Sequence, residues 1–305
     1  MDAEYRSETK KVISMKKRYS RTLFFLLSGI LFLTLLSPGL MAQDEIPGFT
    51  SAGLDWETEI ITEGVTWKSY RGDEMFDARL SINLIEIDLE RASVQYKIAH
   101  VSDTLIKTSE FAENHGAIAA VNGSFFNMDV GGSVVFLKVG DEVIANGAEG
   151  SNPYTESGAI GWNEEGIPQI LRKPEDGWHS VELSDVMSSG PLLIYRNEVR
   201  NFNNDSFNQN RHPRTAVAIT DKNQLIMAVV DGRSFQSYGM TIPELAQFLQ
   251  ELGAVDALNL DGGGSTSMWV RDKKMDGIVN YPSDNFEFDH EGERGVSNAL
   301  LLISN

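Results

Sequence analysis

No cysteine occurs among the 305 residues. That excludes a disulfide framework, a thiol nucleophile and a lipid-modified cysteine, so the core alone must hold the fold. Histidine is scarce too: His100, His115, His179, His212 and His290 show no paired metal-ligand spacing. Neither a metal nor a cofactor is expected from them. Basic residues are outnumbered, 26 Lys and Arg against 44 Asp and Glu, for a net charge of −18. A surface of that sign repels nucleic acid and anionic membranes. Neither is expected as a partner, and any phosphate site must be a local positive pocket in a negative field. The one long apolar run, "TLFFLLSGILFLTLL" from Thr22 to Leu36, falls short of the roughly 20 residues a membrane span requires.

That run has the flanks of an export signal. Lys10, Lys11, Lys16, Lys17, Arg18 and Arg21 precede it, and Ser37, Pro38, Gly39 and a small-residue site ending at Ala42 follow. Basic, then apolar, then small is the order of a secretory leader. Residues 1–42 are therefore expected to be a signal peptide and the rest to be periplasmic or secreted. Retention as an uncleaved anchor is the alternative, since Leu40 stands where a small residue is preferred.

Beyond the leader, residues 43–77 read as an irregular segment with one strand near "GVTWKSY". Leu80, Ile82 and Leu84 alternate, then Ile85, Ile87 and Leu89 continue in the other phase, a pattern a bulged strand would produce. Val94, Tyr96 and Ile98 alternate again, and the two segments read as a hairpin. A short helix is expected from about Thr108 to His115, then a buried strand, "AIAAV", running into Asn122-Gly123. Four further strand pairs flank turn residues: "VVFLKV" and "EVI", "GAIGW" and "IPQIL", "PLLIY" and "EV", "TAVAIT" and "LIMAVV". The segment "NFNNDSFNQN", 201–210, reads as a polar loop over a site. Thr241 and Glu244 form a capping box with Pro243 in the first turn. Leu245, Phe248, Leu249 and Leu252 then make one apolar face, and Gly253 ends the helix. The last strand, "VSNALLLIS", is apolar on both faces and should be central. The fold expected is α+β: a single domain with a strand- and hairpin-rich mixed sheet and few helices.

Polar clusters stand at the ends of these apolar strands: "VNGSFFN", "RHPRTAV", "VVDGRS", "NLDGGGSTS" and "ERGVSNALL". Strand ends bring distant side chains together on a rigid frame. The run Gly262, Gly263, Gly264 exceeds what a hairpin needs. It serves either as a tight turn or as a cradle of backbone N–H groups for an anion, with Ser265 and Thr266 adding hydroxyls. No lysine follows it in the Walker spacing, and no helical pattern follows as in a dinucleotide fingerprint. Arg214 and Arg211 suit bidentate phosphate binding. Arg233, in Asp231-Gly232-Arg233, is either part of such a site or a surface charge, and so is Arg294. Asn122 is either an ordinary turn residue or a site residue beside Phe125 and Phe126.

Taken in order, "NGSFFN", "RHPRTAVAIT", "VDGRS", "YGMTIPELAQFLQELGAVDALNLDGGGSTSMWV" and "ERGVSNALLLI" resemble the phosphodiester glycosidase family. The resemblance runs from about Ala78 to Ile303, and 78–305 is expected to be the catalytic domain. Ser124 stands where the family usually has glycine. The resemblance implies hydrolysis of a sugar-1-phosphodiester, small molecule or glycan, at the anomeric C–O bond. A free sugar, N-acetylglucosamine among the candidates, and a phosphomonoester would be released. It implies Asp261 and Asp231 as the catalytic carboxylates. Arg214, Arg233, Asn122, Gly262, Gly263, Gly264, Ser265, Arg294 and Asn298 would bind substrate and phosphate, without a metal. Two other readings stay open from the residues alone: a non-catalytic binder of anionic glycan, and a metal-assisted phosphodiesterase using Asp231, Asp261 and Asn259.

Overall fold

The computed structural model describes residues 53–147 and 155–305. The expected signal segment lies outside them. Within the described residues, the eight-stranded sheet packs against the four- and five-stranded sheets in a sandwich around one apolar core.

The larger sheet has eight strands. In spatial order they are β1 (Glu57–Thr62), β2 (Val65–Met75), β3 (Ala78–Asp88), β15 (Gln224–Val230), β14 (Arg214–Thr220), β16 (Ala254–Asn259), β12 (Leu192–Tyr195) and β13 (Glu198–Val199). A four-stranded sheet follows the order β17 (Met268–Val270), β6 (Ala119–Asn122), β19 (Asn298–Ser304), β4 (Val94–His100). A five-stranded sheet is ordered β10 (Pro168–Arg172), β9 (Gly158–Trp162), β11 (Asp185–Ser189), β7 (Phe136–Val139), β8 (Glu142–Asn146), and β18 (Gly295–Val296) pairs β5 (Ile106–Lys107). The helices are α1 (Thr108–Asn114), α2 (Ser206–Gln209) and α3 (Ile242–Glu251). The chain is thus a strand-rich α+β fold, and the four expected hairpins are present.

Four expectations change. The sheets are not mixed, because every named pairing is antiparallel. Residues 57–75, expected to be largely irregular, are two long strands at the sheet edge. And β3 carries no bulge at Leu84–Ile85: its register to β15 runs unbroken from Asp88 to Ile82. The phase shift records burial on both faces. Leu80, Ile82 and Leu84 pack with Leu245, Phe248 and Leu249 of α3, while Ile85 and Ile87 pack with the other sheet. Nor do β3 and β4 form a hairpin; β4 pairs β19 instead.

α3 carries the capping box read from its sequence. The Glu244 N–H donates to Thr241 Oγ1 at 3.2 Å, and the Thr241 N–H donates to Glu244 Oε2 at 2.9 Å. Burying Leu245, Phe248 and Leu249 completely stabilises the fold by about 1.5–3 kcal/mol per side chain. That contact fixes β16, which follows the helix directly and delivers the glycine loop. As expected, β19 is interior to its sheet, with Leu300 and Leu302 on one face and Ala299 and Leu301 on the other.

At one end the apolar interface gives way to polar groups. Ser81 and Asn83 of β3, Thr215 of β14 and Asp231 after β15 occupy the inward face. They alternate with the residues facing α3. Opposite them stand Asn122 at the end of β6 and Asn298 at the start of β19. Thr215 Oγ1 donates to Asn122 Oδ1 at 2.7 Å and ties the two sheets together.

Candidate active site

The glycine loop is shaped by what lies against it. A Cβ on Gly262 would sit 2.7 Å from the Pro213 carbonyl oxygen, so the loop backbone can approach that neighbour only without a side chain. Gly263 has φ +64, and its Cβ would lie 2.8 Å from Arg233 Nη2. A Cβ on Gly264 would collide with Arg294 Nη2. The three glycines therefore make room for one backbone segment and two guanidinium groups. As an anion cradle the loop is largely spoken for: the Gly262 N–H donates to Asp261 Oδ1 at 2.9 Å, and the Gly263 N–H to the Pro213 carbonyl at 2.9 Å. Among the described hydrogen bonds, only the Gly264 N–H of the three lacks a protein acceptor. Ser265 is buried beneath the loop.

Arg233 and Arg294 thus meet over the loop. Arg294 is anchored by Asp284, with Nε donating to Oδ1 at 2.8 Å and Nη2 donating to the same oxygen. Arg233 forms no ion pair among the described residues. Partial desolvation, then the nearby Arg294 charge, holds its guanidinium below the usual value. Two cations this close repel each other, and an anion between them relieves the repulsion.

Asp261 stands at the foot of this pair. Burial pushes its carboxyl up to about 6, against the opposing pull of Ser265, the Gly262 N–H, Arg294 and Arg233. Its backbone is pinned on both sides: the N–H donates to the Gly123 carbonyl at 3.0 Å, and the carbonyl accepts from Asn122 Nδ2 at 2.7 Å. A carboxylate held rigidly and tuned to titrate near neutrality suits a base or a nucleophile.

The other expected catalytic carboxylate is placed differently. Asp231 is 1 % exposed. Its Oδ2 accepts from Ser81 Oγ at 2.7 Å, and its Oδ1 accepts from Asn280 Nδ2 and the Tyr281 N–H, each at 2.9 Å. Burial raises its pKa while those donors oppose the shift. Asn280 Nδ2 also donates to the Thr266 carbonyl at 3.2 Å, and its Oδ1 accepts from the Met268 N–H at 2.8 Å. Through Asn280, Asp231 is linked by hydrogen bonds to the far end of the glycine loop.

Arg214, Asn122 and Asn298, expected to bind substrate, are buried and hydrogen-bonded within the frame. Arg214 faces α3, opposite to Thr215, and is 1 % exposed. Its Nε donates to the Met240 carbonyl at 2.8 Å, and its Nη2 to the carbonyls of Phe207 and Asn210 at 2.7 and 3.1 Å. Burial lowers its pKa to about 10, so it stays charged at neutral pH. The polar segment 201–210 is thereby clamped to the sheet end through α2. Arg211 is engaged too, pairing with Glu244 and the Phe76 carbonyl. Asn122 is fully buried, and its Oδ1 accepts from Thr215 and from the Ser267 N–H at 3.1 Å. Asn298 Oδ1 accepts from the Ser124 N–H at 2.6 Å. Arg214→Met is accordingly expected to strand three carbonyls and lower the thermal midpoint. The cost should be on the order of 1–3 kcal/mol for each group left unsatisfied. Unchanged stability with lost turnover would instead place Arg214 at the substrate.

Asp284, Asn280 and Tyr281 escaped the sequence reading. They lie in "NYPSDNFEFDH", which has neither periodicity nor a strand end to mark it. Only contact with Arg294 and Asp231 reveals their part. Among the described residues no group of three or more His, Asp or Glu is placed to hold a metal ion. Asn259, read as a third hard ligand beside Asp231 and Asp261, donates its Nδ2 to the carbonyls of Gly190 and Leu260, while its Oδ1, the atom a hard cation would take, is buried with no hydrogen-bond partner among the described residues.

Comparison with known proteins adds an independent line. The phosphodiester glycosidase family matches residues 115–303. N-acetylglucosamine-1-phosphodiester alpha-N-acetylglucosaminidase from Bos taurus is 28% identical over 196 residues, covering 57% of this chain and 34% of that protein. The chain thus spans about a third of the length of this curated relative. The catalytic domain of the zebrafish N-acetylglucosamine-1-phosphodiester alpha-N-acetylglucosaminidase superposes with a TM-score of 0.62 at 17% identity, covering 85% of this chain and 95% of that one. A hypothetical protein from Synechocystis superposes with a TM-score of 0.65 at 17% identity, covering 82% and 64%. At these identities the two superpositions establish likeness of fold.

Proposed function

The chain belongs to the phosphodiester glycosidase family, and from that premise we propose that it hydrolyses sugar-1-phosphodiesters at the bond between the anomeric carbon and oxygen. The observation that carries the reading is the meeting of Asp261 with Arg233 and Arg294 over a glycine loop. The guanidinium pair and the Gly264 N–H receive the phosphate. As the anomeric C–O bond breaks, its electron pair goes to the phosphate oxygen, where fixed cations stabilise it. A phosphate leaving group is weakly basic, so no strong general acid is required. The oxocarbenium-like carbon needs a carboxylate beside it, as nucleophile or as the base that takes a proton from water. Asp261 fills that role. The bovine relative's name supports an α-linked N-acetylglucosaminyl group as the sugar. In that linkage the 2-acetamido group lies on the leaving-group face and cannot assist from behind, which strengthens the need for a protein carboxylate. The basic, apolar, small order of residues 1–42 supports export of the enzyme.

Hydrolysis in oxygen-18 water tests the bond assignment. Label is expected on the anomeric hydroxyl of the released sugar. Label in the phosphomonoester would mean attack at phosphorus and would overturn the glycosidase reading.

A further inference from the structure

Three exposed apolar side chains lie close to the guanidinium pair, in space or along the chain. Phe235 is 80 % exposed, Phe286 83 % and Met128 59 %. Each is tied to the pair. Met128 Sδ lies 3.8 Å from Arg294 Nη1. Phe286 stands two residues after Asp284, the anchor of Arg294, and its N–H donates to the Ser283 carbonyl at 3.2 Å. Phe235 stands two residues after Arg233, within a turn closed by the Ser234 N–H on the Ser237 carbonyl at 3.1 Å.

Two of these positions are held in backbone conformations that their side chains disfavour. Arg233 has φ 60 and Phe286 has φ 62. Glycine or asparagine would make such turns at lower cost, yet the chain carries there an arginine without an ion pair and the most exposed aromatic among the described residues. The polar neighbours of the two phenylalanines are turned to one another. The Ser234 hydroxyl bonds Gln236, and Asn285 Nδ2 donates to Asp289 at 2.9 Å. A sugar resting on these rings would not find the Ser234 hydroxyl or Asn285 Nδ2 free to bond it. A hydrocarbon would not miss them, and covering these side chains removes apolar area from water.

We propose that the leaving group of the substrate is amphiphilic: the phosphate sits on Arg233 and Arg294 while an apolar chain attached to it lies across Phe235, Phe286 and Met128. The inference rests on the phosphate-binding reading of the same site and adds the class of aglycone.

The test is calorimetric titration of the full chain with methyl, butyl and octyl phosphate, each below its micelle concentration. Affinity is expected to rise about tenfold or more from methyl to octyl, a fraction of what complete burial of the added methylenes would give. In the Phe235→Ser/Phe286→Asn double variant, with its thermal midpoint preserved, that rise should shrink to about threefold or less. Asparagine suits the left-handed position, so the second change leaves the turn unstrained. Equal affinities across the series in the unaltered protein would overturn the proposal. A chain-length dependence undiminished in the double variant would overturn it too, because the chain would then lie elsewhere. Sugar release is read separately on octyl sugar-1-phosphodiesters. Chain-length-dependent binding without sugar release would overturn the hydrolase reading and leave this one standing. Failure of every alkyl phosphate to bind, methyl included, would overturn both.

Discussion

Asp261→Asn is expected to fold like the unaltered protein and to lose turnover of a sugar-1-phosphodiester by about 10²–10⁴-fold, the range for removing a positioned acid–base or nucleophilic group. Asparagine keeps the size, and its Oδ1 can still accept from the Gly262 N–H, which Asp261 Oδ1 now accepts at 2.9 Å. What is lost is the charge. The carboxyl's folded pKa, about 6, lies above the ordinary carboxylate value. Its ionised form is therefore disfavoured in the fold, and its contribution to stability is fully present at low pH and fades as pH rises through about 6. At pH 8 the neutral variant should be as stable as the parent or slightly more so. The same titration sets the pH profile of the parent. A base or nucleophile must be ionised, so kcat/KM should climb as pH rises through about 6 and then level off. A thermal melt at pH 8 and a pH–rate profile decide the matter. Normal turnover in the variant, or activity that falls above pH 6, would remove Asp261 from the role of base or nucleophile.

The second large effect concerns the cations. Arg233→Ala should lower kcat/KM by about 10²–10³-fold, the scale for removing one preorganised charge-stabilising donor, with little change in thermal midpoint. The residue is exposed and pairs with no carboxylate among the described residues, so its removal strands nothing. Arg233→Lys should recover only part of the loss, because a point charge lacks the bidentate fork. Gly264→Ala reaches the same machinery from below. Its methyl group would occupy the place of Arg294 Nη2 and of Asp284 Oδ1. The side chains can swing away, and the guanidinium then leaves the loop. Activity should fall as it does for Arg233→Ala, while the fold persists. Affinity for inorganic phosphate separates the outcomes. If phosphate binds both variants as tightly as the parent, the pair over the loop is not the phosphate site.

Much of the fold could be read along the chain. The capping box and apolar face of α3, the four hairpins and the interior place of β19 all follow from local turn chemistry and periodicity. Those signals act within a few residues of one another. The same periodicity misread β3, where a strand buried on both faces looks like a bulged strand buried on one. It also paired β3 with β4, because sequence neighbours are the default partners and only the rest of the sheet sends β4 to β19.

The site divides along the same line. Composition and motif order were enough to identify the family and to pick out Asp261, Asp231, Arg214, Arg233, Asn122, Arg294, Asn298, Ser265 and the glycine run as candidates. Which polar groups would meet was decided only by packing. Arg214 and Thr215 are adjacent in sequence, yet alternation along β14 sends one to the carbonyls beneath α2 and the other across the sandwich to Asn122. Asp231 and Asp261 look alike as acids at strand ends. One is enclosed by three donors from β3 and the 280–281 segment, while the other is only partly buried and lies beside two arginines. A hydrogen bond is satisfied by whichever partner the fold brings within about 3 Å, and that distance is set by sheet register and by loops some 50 to 170 residues apart along the chain. The residue types determined what chemistry was available to this protein; the tertiary contacts decided which of them were bonded into the frame and which kept donors and charges without a protein partner among the described residues.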